Sequence, residues 1–398
     1  MSERVKTAKL KLQIIGPTNI SGSSELNTKD YMFNYESGEV YILDQKEWFK
    51  LLNRFRALDS FEQYLMYELP KRDGRSMYQW AVDTLGREKV NRNTLGTAVK
   101  SVMVSHYHYK RENRKNSLND IIPQLRDARG HIYIPGSSIK GMIDKALIEH
   151  IILQNSRLRG ELKDELCRIP EEHRNIYDFR ERQKTINKIL RSAESKVNQA
   201  ISCLGDGHGE TLKGALSSVF RGVSVSDAKP DKNVTTEVLQ KVDHGVEVDR
   251  RNSISVWREF ILPGNVFEFS CTLDTSMTSN IGIYTVNDLL EIVEASYQRD
   301  HEILKREFHN LPQSVWNQAE LANAYLVGNT GFLQKSIIMT IFKDNYFEGI
   351  NVIKTILDIQ FYKHKHVYKD KKISPRMIKL TEWNHKLWEV GGVRIACI

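Results

Sequence analysis

The stretch Ile132 to Lys145, IYIPGSSIKGMIDK, joins a short apolar strand to a helix through a single Pro-Gly turn, and it constrains the fold more than any other segment. Pro135-Gly136 halts the strand. Ser137 or Ser138 is placed to cap the free N–H groups of the first helical turn, and Met142, Ile143, Ala146, Leu147 and Ile151 then recur at helical spacing. The spacing therefore predicts a strand, a glycine turn and a basic helix N-terminus. Unpaired backbone donors, the positive end of the helix dipole and Lys140 converge on one spot, which suits a phosphate. A serine cap followed by lysine also opens many ordinary helices, so the segment alone leaves both readings open.

Upstream, Leu10, Leu12 and Ile14 alternate with Lys9, Lys11 and Gln13, the period of a strand with one buried face. A polar turn follows from Gly16 to Ser24, and Tyr31 to Leu43 reads as a hairpin turning at Glu36-Ser37-Gly38-Glu39. The period then changes. Trp48, Leu51, Leu52, Phe55, Leu58, Phe61, Leu65 and Leu69 mark amphipathic helices, and a further helical region is expected from Met77 to Val102. Both look like an insertion. A second helical insert, solvated and dense in charge, is expected over Asn155 to Ser202. The glycine loop Leu204 to Gly209 lacks the strand, helix and lysine placement of a nucleotide fingerprint.

Beyond a strand at Val219 to Ser226, two β-rich arms, Asn233 to Gln240 and Ser253 to Leu262, flank a polar tip from Asp243 to Asn252. That is a long hairpin with a charged end. Pro263-Gly264 turns into a strand at Val266 to Leu273, and Val286 to Leu304 is helical in period. A second glycine turn, Val327 to Ser336 (VGNTGFLQKS), is expected to open another apolar helix and so to repeat the logic of the first. Lys363-His364-Lys365-His366 and Lys369 to Lys372 form a basic run with Tyr362 and Tyr368 among them. Such a mixture fits nucleic-acid stacking or a solvated loop. Strands close the chain at Met377 to Leu380 and Trp388 to Ile398, with Val393 to Ala396 suited to a place beside the first strand.

With 398 residues the chain can hold about two domains. Lys and Arg number 58 against 50 Asp and Glu, a formal charge of +8, which permits a polyanionic partner. Cys167, Cys203, Cys271 and Cys397 lie too far apart in sequence to suggest a disulfide framework or a zinc knuckle, so a reducing compartment is expected. No apolar run approaches the ~18 residues of a membrane span, and no signal core opens the chain. His106 and His108 stand two apart on a possible strand face, but no third ligand lies at a useful spacing, so no metal and no cofactor is expected.

In order, the elements form an α+β pattern of the ferredoxin-like, RRM-like kind, with large helical insertions near 45–117 and 155–202 and a β-hairpin near 233–262. Ile134 to Gly141 and Gly328 to Leu333 resemble the two hallmarks of the RAMP superfamily of CRISPR effector proteins, a PGSSIKG-type helix start and a C-terminal glycine loop. Asp249-Arg250-Arg251-Asn252, GNTGFLQKS and the terminal MIKLTEWNHKLWEVGGVRIACI are similar in kind and order to the 3′-end capping subunits of type III-A Csm complexes. The resemblance implies a RAMP core over 1–280, a C-terminal part over 281–398, and a hairpin acting as a thumb. It further implies a cytoplasmic, non-catalytic subunit that binds guide RNA (crRNA), caps the filament of repeated backbone subunits, and assists crRNA maturation with host nucleases that trim the 3′ end. The candidate RNA-binding residues are Ser21, Gly22, Gly136, Ser137, Ser138, Lys140, Gly141, Arg250, Arg251, Asn329, Gly331, Phe332 and Lys335. Contacts of this type hold the ribose-phosphate backbone without reading bases.

A different class competes with it. Related backbone subunits cleave target RNA with an acidic residue after the first strand, and Asp30 is the candidate for a metal-dependent endoribonuclease acting on crRNA precursor or target RNA. A lone aspartate is more often a turn or cap residue, and phosphoryl transfer with two metals needs several oxygen ligands. A general base at His106 or His108 would need a partner acid as well.

Overall fold

A computed structural model describes residues 4–22, 25–71, 74–104, 118, 120–202, 217–246, 251–326, 328 and 330–398. The alternation at the N-terminus produces β1 (Val5–Ile14), with Leu10, Leu12 and Ile14 buried and Lys9, Lys11 and Gln13 exposed. The expected hairpin is β2 (Tyr31–Asn34) with β3 (Glu39–Leu43). Asp44 then starts α1 (Gln45–Arg54) by accepting from the Glu47 N–H, and α2 (Leu58–Gln63) and α3 (Met77–Leu85) follow. Trp48, Phe61, Tyr64 and Trp80 pack ring against ring between these helices, with Phe61 and Trp80 centroids 4.9 Å apart.

The helix expected to reach Val102 ends at Leu85. After the single turn α4 (Arg92–Leu95), the β-branched run VKSVMV becomes β4 (Val99–Val104) and pairs with β3. The first insertion thus closes on a strand, because β3 offers a free edge that helical period alone does not reveal.

Next come β5 (Ile121–Ile122), α5 (Gly136–Gln154), α6 (Ser156–Asn175) and α7 (Phe179–Ile201). The second insertion is not merely solvated. Leu158, Leu162, Leu166 and Ile169 of α6 and Ile186, Ile189 and Val197 of α7 share a core with residues near the C-terminus. Burial of each such aliphatic side chain contributes about 1.5–3 kcal/mol.

The remainder runs β6 (Val223–Val225), β7 (Lys229–Pro230), β8 (Thr236–Gly245), β9 (Arg251–Ile261), β10 (Val266–Asp274), α8 (Thr275–Thr278), α9 (Val286–Glu307), α10 (Gln313–Ala319), β11 (Ala324–Tyr325), α11 (Ile338–Ile341), α12 (Tyr346–Gln360), α13 (His366–Lys369), β12 (Met377–Trp383), β13 (Lys386–Glu389) and β14 (Gly392–Cys397). Two sheets result. The first has the order β11-β14-β1-β10-β6, with β7 also on β10, and every pairing in it is antiparallel. The second has the order β13-β12-β8-β4-β3-β2, and β9 pairs with β8 and β5. The closing strand β14 lies beside β1, as its composition anticipated. The single strand expected over Trp388 to Ile398 is instead split between the sheets at Gly391, whose φ is 81°. Strands from either side of residue 280 share both sheets, so the 1–280 and 281–398 segments are interleaved.

The polar hairpin tip expected from Asp243 is shorter: Asp243 and His244 remain in β8, held by β12 on one side and β9 on the other. Leu204 to Gly209, His106, His108 and residues 247–250 lie outside the described residues. Among the described residues no helix is long and apolar enough to cross a membrane.

Candidate nucleic-acid interface

The sequence offers two glycine turns, and the structure treats their charges in opposite ways. At the first, Ile132 and Ile134 make only isolated bridges, to Arg126 and Ala228, rather than a full strand. Helix α5 starts at Gly136 with Pro135 as its N-cap; neither serine caps it, because both already lie in the first turn. Asp227 does the capping from a distance, its Oδ1 accepting from the Gly136 N–H at 2.8 Å. A side chain at Gly136 would strike the Val225 carbonyl at 2.6 Å, so only glycine lets the helix start pack against the chain after β6. Lys140 turns inward and donates to the carbonyls of Phe220 and Val223 at 2.9 and 2.8 Å. Ser137 and Gly141 face outward, Ser138 is half-buried, and the space above Gly141 is open.

Further along α5, Lys145 is buried between Asp300 at 2.9 Å and Glu149 at 3.0 Å, and Arg299 meets Glu149 at 2.8 Å. Ser296 and Thr340 also donate to Glu149. Burial pushes the Asp300 carboxyl up to about 7 against the pull of Lys145. This ionic cluster fixes α5 against α9.

The second glycine turn is knit to two other loops. A side chain at Gly328 would lie 2.9 Å from the Asn19 carbonyl, and the Gly391 N–H donates to the Pro17 carbonyl at 3.1 Å. Behind it, Gln334 donates to Glu389 at 3.2 Å, as does the Tyr325 hydroxyl at 2.9 Å. Burial raises the Glu389 carboxyl to about 7 even though both bonds favour its charged form. The apolar helix expected after this turn comes in two pieces: a 3₁₀ turn at Leu333–Lys335 leads into the short α11, and α12 follows.

In front of the loop opens a cleft of about 410 Å³, lined among others by Lys241, Gly331, Phe332, Lys335, His364, Arg376 and Lys379. Two cations of this lining, and Arg258 beside them, meet only neutral oxygens. Lys335 donates to the Gly328 carbonyl at 3.3 Å, Lys379 approaches the Thr330 carbonyl at 3.5 Å, and Arg258 of β9 donates to Asn19 at 3.3 Å. Burial and then Arg258 lower the Lys335 ammonium. Burial, Lys241, Lys335 and Arg258, against a raising contribution from Asp243, push Lys379 down to about 8. Burial lowers Arg258 too. The Asp243 carboxylate in the lining is held by Lys241 at 3.0 Å, so Lys335 and Lys379 remain cations that an incoming anion would stabilise.

Of the residues expected from the sequence, Gly331, Phe332 and Lys335 come together in this cleft, whereas none of its lining residues belongs to the first turn of α5. Ser21 and Gly22 are exposed on a loop held at its base: Asn19 donates to the Glu259 carbonyl at 2.7 Å, Ser21 bridges to Gln124, and the Gln124 side chain accepts from the Ile20 N–H at 2.9 Å. Glu259 anchors this base as a buried carboxylate receiving Arg126, Lys100 and Thr236. Arg250, Asn329 and the side chain of Arg251 lie outside the described residues; the Arg251 backbone pairs with His244. Asp30 is a turn residue, its carboxylate accepting from the Asn27 N–H at 3.0 Å and from Gln45 at 3.3 Å.

Sequence reading missed Lys241, Arg258 and Lys379. The signal was present but divided among three strands: Lys241 and Asp243 alternate with buried Val242 on β8, while Lys379 lies directly opposite Asp243 on β12.

The sequence signature of the RAMP superfamily matches residues 12–330. The CRISPR system Cms protein Csm5 of Streptococcus thermophilus is 21% identical over 77% of this chain and 74% of its own length. Csm5 of Mycobacterium tuberculosis (strain H37Rv) is 22% identical over 100% of this chain and 99% of its own. In backbone, the chain is similar to one in the cryo-EM structure of a Csm–crRNA–target RNA ternary complex of a type III-A CRISPR-Cas system, with a TM-score of 0.60, 15% identity and coverage of 99% and 100% of the two chains. It is also similar to the crystal structure of T. onnurineus Csm5, at a TM-score of 0.56, 15% identity and coverage of 96% and 99%. With a family signature spanning most of its length, the chain belongs to the RAMP superfamily.

Proposed function

We propose that this chain is a guide-RNA-binding subunit of a type III-A CRISPR effector, placed, as the resemblance of its motifs implies, at the crRNA 3′ end of the backbone filament. The observation that carries the reading is the placement of Lys335 and Lys379, neither within ion-pair distance of a carboxylate among the described residues, in a cleft beside the second glycine loop, with Arg258 near enough to lower both. Such a site neutralises phosphate and disregards base identity, as a guide of changing sequence requires. The first sheet, with β14, β1, β10 and β6 in antiparallel order and α5 and α9 packed on it, we read as a ferredoxin-like core. The β8–β9 hairpin serves as its thumb.

In this reading Ser21, Gly22, Ser137 and Gly141 offer exposed backbone to RNA, while Lys140 supports the helix start from behind. Ser138 is a half-buried member of the same turn, and Gly136 is fixed by packing. The hairpin tip with Arg250 and Arg251, and Asn329 in the glycine loop, complete the proposed surface. Its partners are crRNA, the repeated backbone subunit and host nucleases that trim the guide; the chain holds RNA and does not cut it.

Expression of the tagged chain together with the other effector subunits tests this. Guide RNAs of mixed sequence should copurify with it, and deletion of the chain should lengthen their 3′ ends. Recovery of a lone, RNA-free chain would contradict the proposal.

A further inference from the structure

The basic and aromatic run after α12 is not used by the cleft alone. From Phe361 to Lys379 the chain carries Lys363, Lys365, Lys369, Lys371, Lys372, Arg376 and Lys379 against a single acid, Asp370. Asp370 is spent internally: His366 Nδ1 and the Ser374 hydroxyl lie 2.7 Å from its carboxylate, and Arg376 lies at 2.6 Å. Burial opposes its charge, yet these bonds hold its carboxyl below the usual range. The lysines of the run have no carboxylate within ion-pair distance among the described residues. The Val367 N–H bonds Asp358, which fixes the start of the segment to α12.

Aromatic rings stand among these cations, open to solvent. Phe361 is 51% exposed, Tyr362 61% and Tyr368 78%. Phe179, at the start of α7, meets Tyr362 edge to face at 6.1 Å and extends the surface. Phe361 and His364 also line the cleft, so this surface begins where the cleft ends. An apolar protein partner would not need a row of unneutralised lysines, whereas an unpaired strand needs both, a charge for each phosphate and a ring for each base.

We propose that Phe361 to Lys372 is a stacking platform for unpaired RNA bases, continuous with the cleft and taking the single strand that leaves it. The platform rests on the reading that the cleft holds the RNA backbone. Its own contribution is base-dependent and indifferent to sequence, because every base presents a π-face.

The purified full-length chain should be titrated with a fluorescein-labelled, unstructured RNA and with a strand of equal length carrying abasic residues. The intact RNA is expected to bind about tenfold more tightly than the abasic one, the gain of roughly one stacked base. The exposed-site variant Phe361→Ala/Tyr362→Ala/Tyr368→Ala should lose that preference while keeping the salt dependence. Equal binding of both strands by the unmodified chain, a preference that survives in the variant, or an equal loss for both strands would each overturn the platform. The cleft is judged separately: if Arg258→Gln/Lys335→Gln/Lys379→Gln leaves binding of the abasic strand unchanged, the cleft reading itself falls.

Discussion

The two glycine turns of this chain share a sequence grammar and differ in what their charges do. At Pro135 to Gly141, the helix start is capped by Asp227 and Lys140 is consumed by two carbonyls, so the stretch is a structural joint with an exposed outer face. At Gly328 to Lys335, the loop is braced from behind by Glu389, and its cation faces a cleft among others of like sign. The contrast shows that lysine beside glycine does not define an anion site. What decides is whether the rest of the fold supplies the lysine with an acceptor. In the first turn two carbonyls at 2.9 and 2.8 Å do; in the second Lys335 has one longer bond, to the Gly328 carbonyl at 3.3 Å, and under the proposed function an external phosphate supplies the rest.

The contrast can be broken at several points. Lys145→Ala, on the joint side, should have the largest effect, a loss of about 3–5 kcal/mol in chemical denaturation, because it leaves Glu149 and Asp300 with one cation fewer in a buried space. A loss below ~1 kcal/mol would mean that α5 and α9 are held by packing alone. Lys140→Ala should cost about 2 kcal/mol through its two carbonyl bonds. Measured below the melting temperature, its RNA affinity should match that of the unmodified chain; a weakened affinity would return Lys140 to the RNA surface.

Glu389 sharpens the comparison from the cleft side. Its carboxyl is raised from 4.5 to about 7 in the fold, so the folded chain keeps a proton that the unfolded chain releases. This stabilisation is complete below about pH 4.5 and is lost as pH rises through about 7. Unfolding free energy should therefore decline over that window, and Glu389→Gln should flatten the decline; an unaltered profile would show that Glu389 does not titrate there. The smallest effect is expected for Asp30→Ala. It removes turn bonds at a partly exposed site, costs about 0.5–1 kcal/mol, and should leave labelled RNA as intact as the unmodified chain leaves it with Mg²⁺. Cleavage by the unmodified chain that disappears in this variant would restore the nuclease reading.

Much of the scaffold was legible because its signals are local. Leu10, Leu12 and Ile14 alternate along β1, Val286 to Leu304 keeps a helical period within α9, and the final strand took its place beside the first. β4 was misread as helix since its identity depends on the free edge of β3. The two lysine environments were harder still. Lys140 finds its acceptors some 80 residues away, at Phe220 and Val223, and Arg258, Lys335 and Lys379 meet only after β8, β9, β12 and the glycine loop have assembled. Residue type was visible in each case, whereas the partner was a property of the tertiary fold.

The most direct test is the salt dependence of RNA binding by the full-length chain and by Arg258→Gln/Lys335→Gln/Lys379→Gln. Loss of three phosphate-facing charges should lower the slope of log affinity against log salt by about 2, at ~0.7 per charge on a single strand, and equally for unrelated sequences. An unchanged slope and affinity would contradict the assignment of this cleft to the RNA backbone.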